Sequence, residues 1–595
     1  MRTLDSGAGD SQDTQGKCQL AENLPAIRDV QEMFHDMVKK LPELRDFIKK
    51  LGRPLRVATM CSGTESPLLA LDKIGVATER EYGAKLAVDH VFSCEIEPFK
   101  QAYIERNFAP PILFRDIREL DEDQATTAYG ALVDVPGFCD MLVAGTSCVD
   151  YSNLNNEQKT IDEAGESGQT FRGMMTWVQK KQPPVVILEN VCGAPWEQIS
   201  LAFQAKGYAA HFMRVDTKRY YIPHTRTRVY LFATKVAPKP GMAAPPPGED
   251  VHVIVKDPNR KGKEMIRKPT KYKAYFDYLQ ELSGKIDFDD SECGKGFIFD
   301  KKKGDAKGTL IKRWKDRVKA LERPASSTLE AFLFDSDDPR VHKGRQMLAR
   351  PGEDSTRAGT DWARCESRHQ RARLEEGLGA RRPFTNWEGG CTMPDYAWND
   401  WGKAQTDRVL DLMDIDYLRL AQADTDSTHK TLVWNLSQNV DRTTGSGAAG
   451  ICPCLTPSMV PFVTNRGGPL VGIEALSLQG IPVDDLLLTR ESEGQMSDLA
   501  GNAMTTTVVG ACMLSALLVV KDTILEYSET AKIGLAEEAE TETRPDESES
   551  SLARELTPSG ACGHGLTGAV DGTGAVSYTH LRAHETEAEL VCRLL

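Results

Sequence analysis

The 595-residue chain lacks several features that mark common protein classes. Its 14 cysteines do not form the dense, short-spaced pattern of a secreted disulfide scaffold, and no charged-then-apolar signal segment begins the chain. No run approaches the roughly 18 consecutive apolar residues that a membrane helix needs. These absences predict a soluble protein of several domains in a reducing intracellular compartment, without a membrane partner.

Net positive charge is also missing, since the formal net charge is −14. Phosphate binding requires lysine and arginine, so this average argues against a nucleic-acid partner. The average hides an asymmetry, because residues 251–390 hold 31 Lys and Arg against 23 Asp and Glu, a local balance of +8. Aromatic residues interleave with this basic part, as in "KPTKYKAYFDY" and "LIKRWKDRVK". It is either a solvated surface or a module that faces a polyanion.

Short apolar runs alternate with helix-like segments between residues 55 and 233. The runs that read as strands are "LRVATMCSG", "HVFSCEIEP", "CDMLVAGTS", "PPVVILENV" and "RVYLFATK". Strands that alternate with helices favour parallel βαβ units. The pattern predicts an α/β fold with a doubly wound, mostly parallel sheet.

Cys148 lies in "AGTSCVDYSNLN", directly after the apolar run that ends at Val143. Open α/β sheets bind ligands at the carboxyl ends of their strands, so this thiol is placed to act as a nucleophile in a cleft. The alternative is a half-buried structural thiol, because most free cysteines are buried and inert.

Three further elements would suit a nucleoside ligand. The turn Ser62-Gly63-Thr64 joins a strand to a helix that starts near Pro67, so backbone can approach a ligand there. Glu95 ends the next strand, where it would accept hydrogen bonds from ribose hydroxyls, and Asp116-Ile117 would lie beside an adenine ring. Each acid taken singly is equally consistent with an ordinary surface residue.

Two more motifs place polar groups at strand ends. Glu189-Asn190-Val191 follows a buried strand, where the carboxyl either caps a helix or has its pKa raised by desolvation. Arg226 and Arg228 alternate, so in one strand they would face the same side. They would bind an anionic or carbonyl-rich ligand or form two structural salt bridges.

Taken in order, these motifs resemble those of the DNA (cytosine-5)-methyltransferases, over residues 55–235 and 450–520. The resemblance implies S-adenosyl-L-methionine as cofactor and double-stranded DNA as substrate, with Cys148 as nucleophile assisted by Glu189, Arg226 and Arg228. The cofactor residues that it implies are Cys61, Ser62, Gly63, Thr64, Glu95, Ile96, Asp116, Ile117, Gly145, Asn502 and Ala503. It implies no metal, and the pair Cys452-Pro-Cys454 is too sparse for a zinc site.

The resemblance also divides the chain. Residues 1–50 would be a polar segment and a helix, 51–238 the first part of the catalytic domain, 239–449 a target-recognition insert and 450–525 the closing part. Residues 526–595 are predicted to be a disordered acidic tail. Its last stretch, "SYTHLRAHETEAELVCRLL", looks like translated sequencing adapter and is expected to be artefactual.

Departures from the family pattern identify a subgroup. The usual Pro-Cys-Gln is Ser147-Cys148-Val149, Glu65 and Ser66 stand in a turn that is usually richer in glycine, and His224 replaces a usual Gln. With "GESGQTFRGMMTWV" and "LVWNLSQNVDRTTG", these make the chain similar to the eukaryotic maintenance subgroup normally fused to RING and Swi/Snf-type ATPase domains. Neither domain follows here, which predicts a truncated product or a lone catalytic module.

The implied mechanism requires a depressed pKa of the Cys148 thiol, supplied by an arginine and by backbone N–H groups. It also requires a flipped-out base, with the basic insert offsetting the cost. The implied location is the nucleus, with chromatin-associated ATPase or recruitment proteins as partners. Two alternatives stay open: a catalytically silent DNA- or chromatin-binding homologue, and a tRNA cytosine-5 methyltransferase.

Overall fold

A computed structural model describes residues 20–21, 23–152, 159–161, 164–246, 248–256, 265–284, 309–349, 362–385, 401–402, 405–442, 444–445 and 448–527. All of these belong to one unit, which extends to Gly534, and residues 535–595 are assigned to a second unit. The predicted acidic tail beyond residue 527, and the first 19 residues of the predicted polar segment, lie outside the described residues.

The central element is a seven-stranded sheet, whose strands are numbered here in chain order. Side by side they are β3 (Leu113–Phe114), β2 (Val88–Cys94), β1 (Leu55–Met60), β6 (Met141–Ala144), β7 (Val185–Asn190), β9 (Thr227–Lys235) and β8 (Tyr208–Asp216). The first five pair in parallel, whereas β9 is antiparallel to both β7 and β8. The carboxyl ends of β1, β2, β6 and β7 therefore lie along one edge.

The predicted doubly wound, mostly parallel sheet is confirmed, and each of the five apolar runs forms a strand. Two details differ from the prediction. The run "RVYLFATK" forms β9 antiparallel to β7, and β8 was not predicted. Most of β8 is buried, so its sequence shows no alternation of polar and apolar residues to mark it as a strand.

Helices cover the sheet on both faces, with further helices in the insert. Their bounds are α1 (Val30–Lys39), α2 (Leu44–Leu51), α3 (Ser66–Tyr82), α4 (Pro98–Phe108), α5 (Glu166–Lys181), α6 (Trp196–Ala205), α7 (Lys273–Ser283), α8 (Leu310–Ala320), α9 (Pro339–Ala349), α10 (Trp362–Glu375), α11 (Asp407–Gln422), α12 (Gly472–Ser477), α13 (Glu493–Asn502) and α14 (Thr506–Val519). The smaller strands are β4 (Gln124–Thr126), β5 (Leu132–Asp134), β10 (His252–Lys256), β11 (Met265–Pro269), β12 (Val433–Asn435), β13 (Pro461–Val463) and β14 (Gly468–Pro469).

The alternation of side chains along the strands divides the core into two layers. Val57 and Val143 pack with α1, α3, α8 and α14 on one face, whereas Ala58 and Leu142 pack with α5 and α6 on the other. Every residue of α14 is buried. The stretch Glu493–Val519 is long and apolar enough to cross a membrane, but 94% of its apolar 18-residue window is buried inside the protein. Its apolar composition is explained by packing in the core.

The insert corrects one expectation from the sequence. The two basic stretches were expected to be either a solvated surface or a module that faces a polyanion, but three of their aromatic residues, Tyr272, Tyr275 and Trp314, are buried. Trp314 of α8 is fully buried and donates its indole N–H to the Cys512 carbonyl of α14, at 3.1 Å. Tyr275 of α7 is buried against β8. These rings stabilise the sheet layers, so α7 and α8 are not free to bind DNA through them. A separate apolar cluster joins α10, α11 and the β12–β14 sheet.

Candidate active site

Cys148 lies in a loop four residues beyond β6, and its side chain is half-buried. The loop turns immediately, because the backbone N–H groups of Tyr151 and Ser152 both donate to the Cys148 carbonyl, at 3.0 and 2.9 Å. The thiol is therefore held at the carboxyl edge of the sheet, as the apolar run before it predicted.

Two polar side chains fix this loop. Asn190, at the end of β7, donates to the carbonyl oxygens of Thr146 and Ser147, at 2.8 and 3.3 Å. On the other side, Asp150 accepts from the Ser167 N–H at 2.8 Å and donates its own N–H to the Ser167 hydroxyl at 3.0 Å. The loop is thus tied both to the neighbouring strand and to the first turn of α5.

Glu189 and Arg228 form the charged part of the site. Arg228 Nε lies 3.5 Å from Glu189 Oε1, and the Glu189 side chain is 9% exposed. Burial raises the pKa of Glu189, and the charges of Arg228 and Arg226 only partly oppose this. Glu189 therefore retains a proton at higher pH than an ordinary glutamic acid does.

The expected depression of the Cys148 pKa is wrong for this state of the site. Burial raises the pKa of the thiol, and the negative charge of Glu189 raises it further. Arg228 and Arg226 lower it, but less than the first two effects raise it. The thiol is consequently more reactive when Glu189 is protonated, because the neutral carboxyl no longer repels a thiolate.

Arg226 differs from its predicted position and contacts. It precedes β9 and is buried, and its guanidinium donates to the backbone carbonyls of Leu455, Gly501 and Ala503 at 2.7–3.0 Å. Its charge still acts on Cys148 and Glu189, but its hydrogen bonds hold the closing part of the chain against the sheet. Within this closing part, Gly501 and Asn502 form the last turn of α13.

A second contact holds the closing part from the other side. Lys100 of α4 lies 2.8 Å from the Asp498 carboxylate of α13, and Asp498 accepts a hydrogen bond from Asn502 at 3.0 Å. Burial disfavours the charge of Lys100, but Glu95 and Asp498 outweigh burial and raise its pKa. This ion pair links α4 to α13.

A pocket that opens to solvent lies beside Glu189. Its lining comprises Thr59, Met60, Cys61, Ser62, Gly63, Thr64, Ser66, Pro67, Val143, Gly145, Glu189, Asn502 and Met504. Six predicted cofactor residues are among these: Cys61, Ser62, Gly63, Thr64, Gly145 and Asn502. A Cβ on Gly145 would lie 2.9 Å from the Met504 methyl carbon and 3.8 Å from Glu189 Oε2, so a side chain there would separate the pocket from the carboxyl.

Five predicted cofactor residues lie outside this lining: Glu95, Ile96, Asp116, Ile117 and Ala503. Glu95 is buried and accepts the backbone N–H of Gly63 at 2.8 Å, together with the N–H groups of Ile96 and Glu97. Burial raises the pKa of Glu95 although Lys100 opposes it. Glu95 thus holds the turn, in addition to any contact with a ligand.

The remaining predicted cofactor residues have mixed surroundings. Ile96 is 58% exposed, so an apolar surface is available next to Glu95. Asp116 caps the helical turn Ile117–Glu119 and pairs with the Arg118 guanidinium at 2.5 Å. A ligand would have to share Asp116 with Arg118, whereas Ile117 and Ala503 are core residues.

His224 and Cys454 lie near the arginines. Burial lowers the pKa of His224 to about 3, so the ring is neutral, and it accepts the Leu455 N–H at 3.2 Å. Arg228 approaches the Cys454 sulfur at 3.9 Å. Among the residues that the structure describes, no group of three or more His, Cys, Asp or Glu side chains is arranged to hold a metal ion.

Sequence reasoning missed two contributors to the site. Asn190 belongs to the motif Glu189-Asn190-Val191, but nothing in the sequence showed that its amide would bind the Cys148 loop. Met504 closes the pocket opposite Gly145 and carries no sequence signal beyond its position two residues after Asn502.

A thiol, a buried carboxyl and an arginine lie close together beside a pocket at the carboxyl edge of a doubly wound sheet, the arrangement expected of the methyltransferase class. The family described as C-5 cytosine-specific DNA methylase matches residues 55–360, more than half of the sequence. The chain belongs to this family, and the resemblance drawn from its motifs is confirmed.

The chain is similar to two fungal proteins named DNA (cytosine-5-)-methyltransferase DMT5. It is 51% identical to that of Cryptococcus neoformans var. grubii over 86% of this chain and 19% of that protein. It is 30% identical to that of Verticillium dahliae over 80% of this chain and 20% of that protein. The chain thus spans about a fifth of the length of these relatives. The crystal structure of the S. pombe Dnmt2 methyltransferase covers 78% of this chain and 98% of its own, with 14% identity and a TM-score of 0.33.

Proposed function

We propose that this chain transfers a methyl group from S-adenosyl-L-methionine to carbon 5 of cytosine in double-stranded DNA. Family membership supports the reaction. The observation that carries the assignment to these residues is the position of Glu189, which reaches both the Cys148–Arg228 group and the pocket.

The pocket suits the proposed cofactor. The cofactor turn Cys61 to Thr64 lines it, and Gly63 adopts a left-handed conformation, with φ of 54°, that favours glycine, so no side chain at that position obstructs the turn. Glu95 beside the turn provides a carboxyl, and Ile96 an exposed apolar surface. When bound, S-adenosyl-L-methionine supplies an electrophilic methyl group.

The proposed reaction uses Cys148, Glu189 and Arg228 in turn. The Cys148 sulfur forms a bond to carbon 6 of a flipped-out cytosine, and the electrons of the 5,6 double bond move toward the ring nitrogen 3 and the carbonyl. Glu189 in its protonated form donates a hydrogen bond to nitrogen 3, and Arg228 stabilises the carbonyl charge. After carbon 5 has been methylated, a base removes its proton and the carbon–sulfur bond breaks to release the thiolate.

The protonation states of Cys148 and Glu189 would depend on each other. A thiolate on Cys148 is favoured when Glu189 is neutral, and a neutral Glu189 is also the form that can donate to the base. Burial raises the pKa of both groups, so the same desolvation that disfavours a free thiolate maintains the acid.

The DNA-binding role of the insert is part of the proposal. Helix α10 exposes Arg364, Arg368 and Arg371, which are spaced four and three residues apart and so lie on one side of the helix. Such a row supports contacts to phosphates, and phosphate contacts can offset the few kcal/mol that base flipping costs.

A nuclear location and chromatin-associated partners, including an ATPase, also belong to this proposal. They are supported by the proposed DNA substrate and by the similarity to the ATPase-linked subgroup. A fluorescent fusion outside the nucleus in a fungal host, together with the absence of such proteins after affinity purification, would argue against both.

The reaction is tested with radiolabelled S-adenosyl-L-methionine and three substrates: hemimethylated duplex DNA, unmethylated duplex DNA and tRNA. We expect label in DNA and none when Cys148 is replaced by Ser. Label in tRNA alone would favour the tRNA alternative. DNA binding without any transfer would favour a silent homologue.

A further inference from the structure

Glu65 occupies an unusual position at the end of the cofactor turn. It precedes α3 and has φ of 52° and ψ of 35°, in the left-handed region that disfavours residues with a Cβ. The related family turn is usually richer in glycine at this point. A glutamate held in such a conformation requires compensation from its surroundings.

The compensation comes from side-chain hydrogen bonds. Glu65 is fully buried, and its Oε1 accepts from the Thr59 hydroxyl of β1 at 2.8 Å and from the Ser93 hydroxyl of β2 at 2.5 Å. The Thr59 hydroxyl also contacts the Ser62 hydroxyl at 2.8 Å. Ser62 in turn accepts the Cys94 N–H at 3.2 Å. One carboxyl therefore connects the turn with the ends of two strands.

The other carboxyl oxygen, Oε2, is buried with no hydrogen-bond partner among the described residues. Burial raises the pKa of Glu65 to about 7, although its hydroxyl partners oppose this. Below that pH the group is neutral, which limits the cost of an unpaired oxygen. The carboxyl thus accepts the hydrogen bonds of Thr59 and Ser93 without carrying a buried charge below that pH.

We propose that Glu65 is a positioning residue for the cofactor: its buried carboxyl holds the turn of residues 61–64 in the binding conformation by hydrogen bonds to Thr59 and Ser93. Fixing a loop before the ligand arrives lowers the entropic cost of binding. The inference rests on the proposed function, because it concerns the same pocket, but it assigns a role to a residue that the proposed chemistry does not use.

The test compares three variants by calorimetry with S-adenosyl-L-methionine and with its demethylated product. Glu65→Gln keeps the acceptor oxygen and the shape of the protonated acid, so we expect affinity within about 3-fold of the wild type. Glu65→Ala and Glu65→Gly remove the acceptor, and we expect at least a 10-fold loss. Duplex DNA affinity should stay within about 2-fold in all three.

Thermal unfolding distinguishes a loss of cofactor positioning from a loss of protein stability. Glu65→Gly should unfold at a higher temperature than Glu65→Ala, because glycine tolerates the left-handed backbone, yet both should bind the cofactor weakly. Thr78→Val is the matched control: Thr78 is a buried, hydrogen-bonded residue of α3 away from the turn, so its loss should reduce stability and leave cofactor affinity unchanged.

A pH series adds a further readout. The folded-state pKa of Glu65, about 7, is above its ordinary value of 4.5, so the wild type loses stability as the pH rises through this interval. The Gln variant cannot ionise, and it should lose less stability than the wild type between pH 5 and pH 8.

The inference is overturned if folded Glu65→Ala or Glu65→Gly binds the cofactor as the wild type does, or if Glu65→Gln binds as weakly as Glu65→Gly. Should the Ala and Gly variants fail to fold, Ser93→Ala decides: a loss of about 3-fold or more supports the inference, and wild-type affinity refutes it. A wild-type protein that binds no cofactor would instead overturn the proposed function, and this inference with it.

Discussion

Replacing Glu189 by Gln should change thiol reactivity and methyl transfer in opposite directions. The carboxyl lies 3.5 Å from Arg228 and raises the pKa of Cys148. Two unit charges at that distance interact by about 5 kcal/mol at an effective dielectric constant of 20, so Glu189 in its ionised form neutralises much of the field of Arg228. A Gln carries no charge at any pH, so the pKa of Cys148 should fall relative to the wild type with Glu189 ionised.

Methyl transfer should nevertheless slow. The amide cannot transfer a proton to nitrogen 3, and loss of a general acid costs about 10²- to 10⁴-fold, equivalent to about 3–5.5 kcal/mol of activation free energy. The pH profile should change as well. In the wild type, transfer falls as the pH rises through the raised pKa of Glu189, and this descending limb should be absent from the variant.

The pH dependence of Cys148 alkylation by iodoacetamide, followed by peptide mapping, measures the pKa of the thiol. Single-turnover methylation measures the rate of methyl transfer. The alkylation curve of the Gln variant should move to lower pH while its methylation rate falls. If the curve moved to higher pH, or if methylation were unaffected, the assigned roles of Glu189 would be wrong. Leu71→Ala, in the core, controls for general loss of stability.

Three further outcomes are expected. Glu95→Ala should weaken cofactor binding by roughly 1–3 kcal/mol, because Glu95 accepts a hydrogen bond from the Gly63 N–H. Unchanged affinity by calorimetry would show that Glu95 does not contribute to the site. Asn190→Ala should release the Cys148 loop, lowering the methylation rate more than cofactor affinity; equal losses in both would contradict this. Arg371→Gln should reduce the salt slope of DNA binding by about 0.9, whereas Lys49→Gln, an equal change of charge on α2, should not.

The positions of the main groups could be predicted because they depend on local sequence. An apolar run marks a buried strand, and a polar residue after it must lie at the sheet edge. This placed Cys148 after β6, Glu189 at the end of β7 and Glu95 after β2. The turn at Gly63 followed from the same reasoning.

What could not be predicted depends on contacts between distant parts of the chain. The partners of Arg226 lie more than 220 residues away, so a pair of alternating arginines gave no sign that one anchors the closing part. The aromatic rings of the basic stretches looked surface-exposed because lysines surround them, yet Trp314 packs in the core. The pKa of Cys148 depends on the balance between burial and three neighbouring charges, which only the geometry provides.

During turnover, Cys148 is expected to become covalently bound to carbon 6 of the target cytosine. Duplex DNA with 5-fluorocytosine at the target site should trap this adduct in the presence of S-adenosyl-L-methionine, because fluorine cannot be removed as the proton is. We expect a complex that survives denaturing electrophoresis, maps to Cys148, and is absent from Cys148→Ser, which should still bind the cofactor. An adduct formed by the serine variant, or one that maps to Cys61, Cys94 or Cys192, would contradict it.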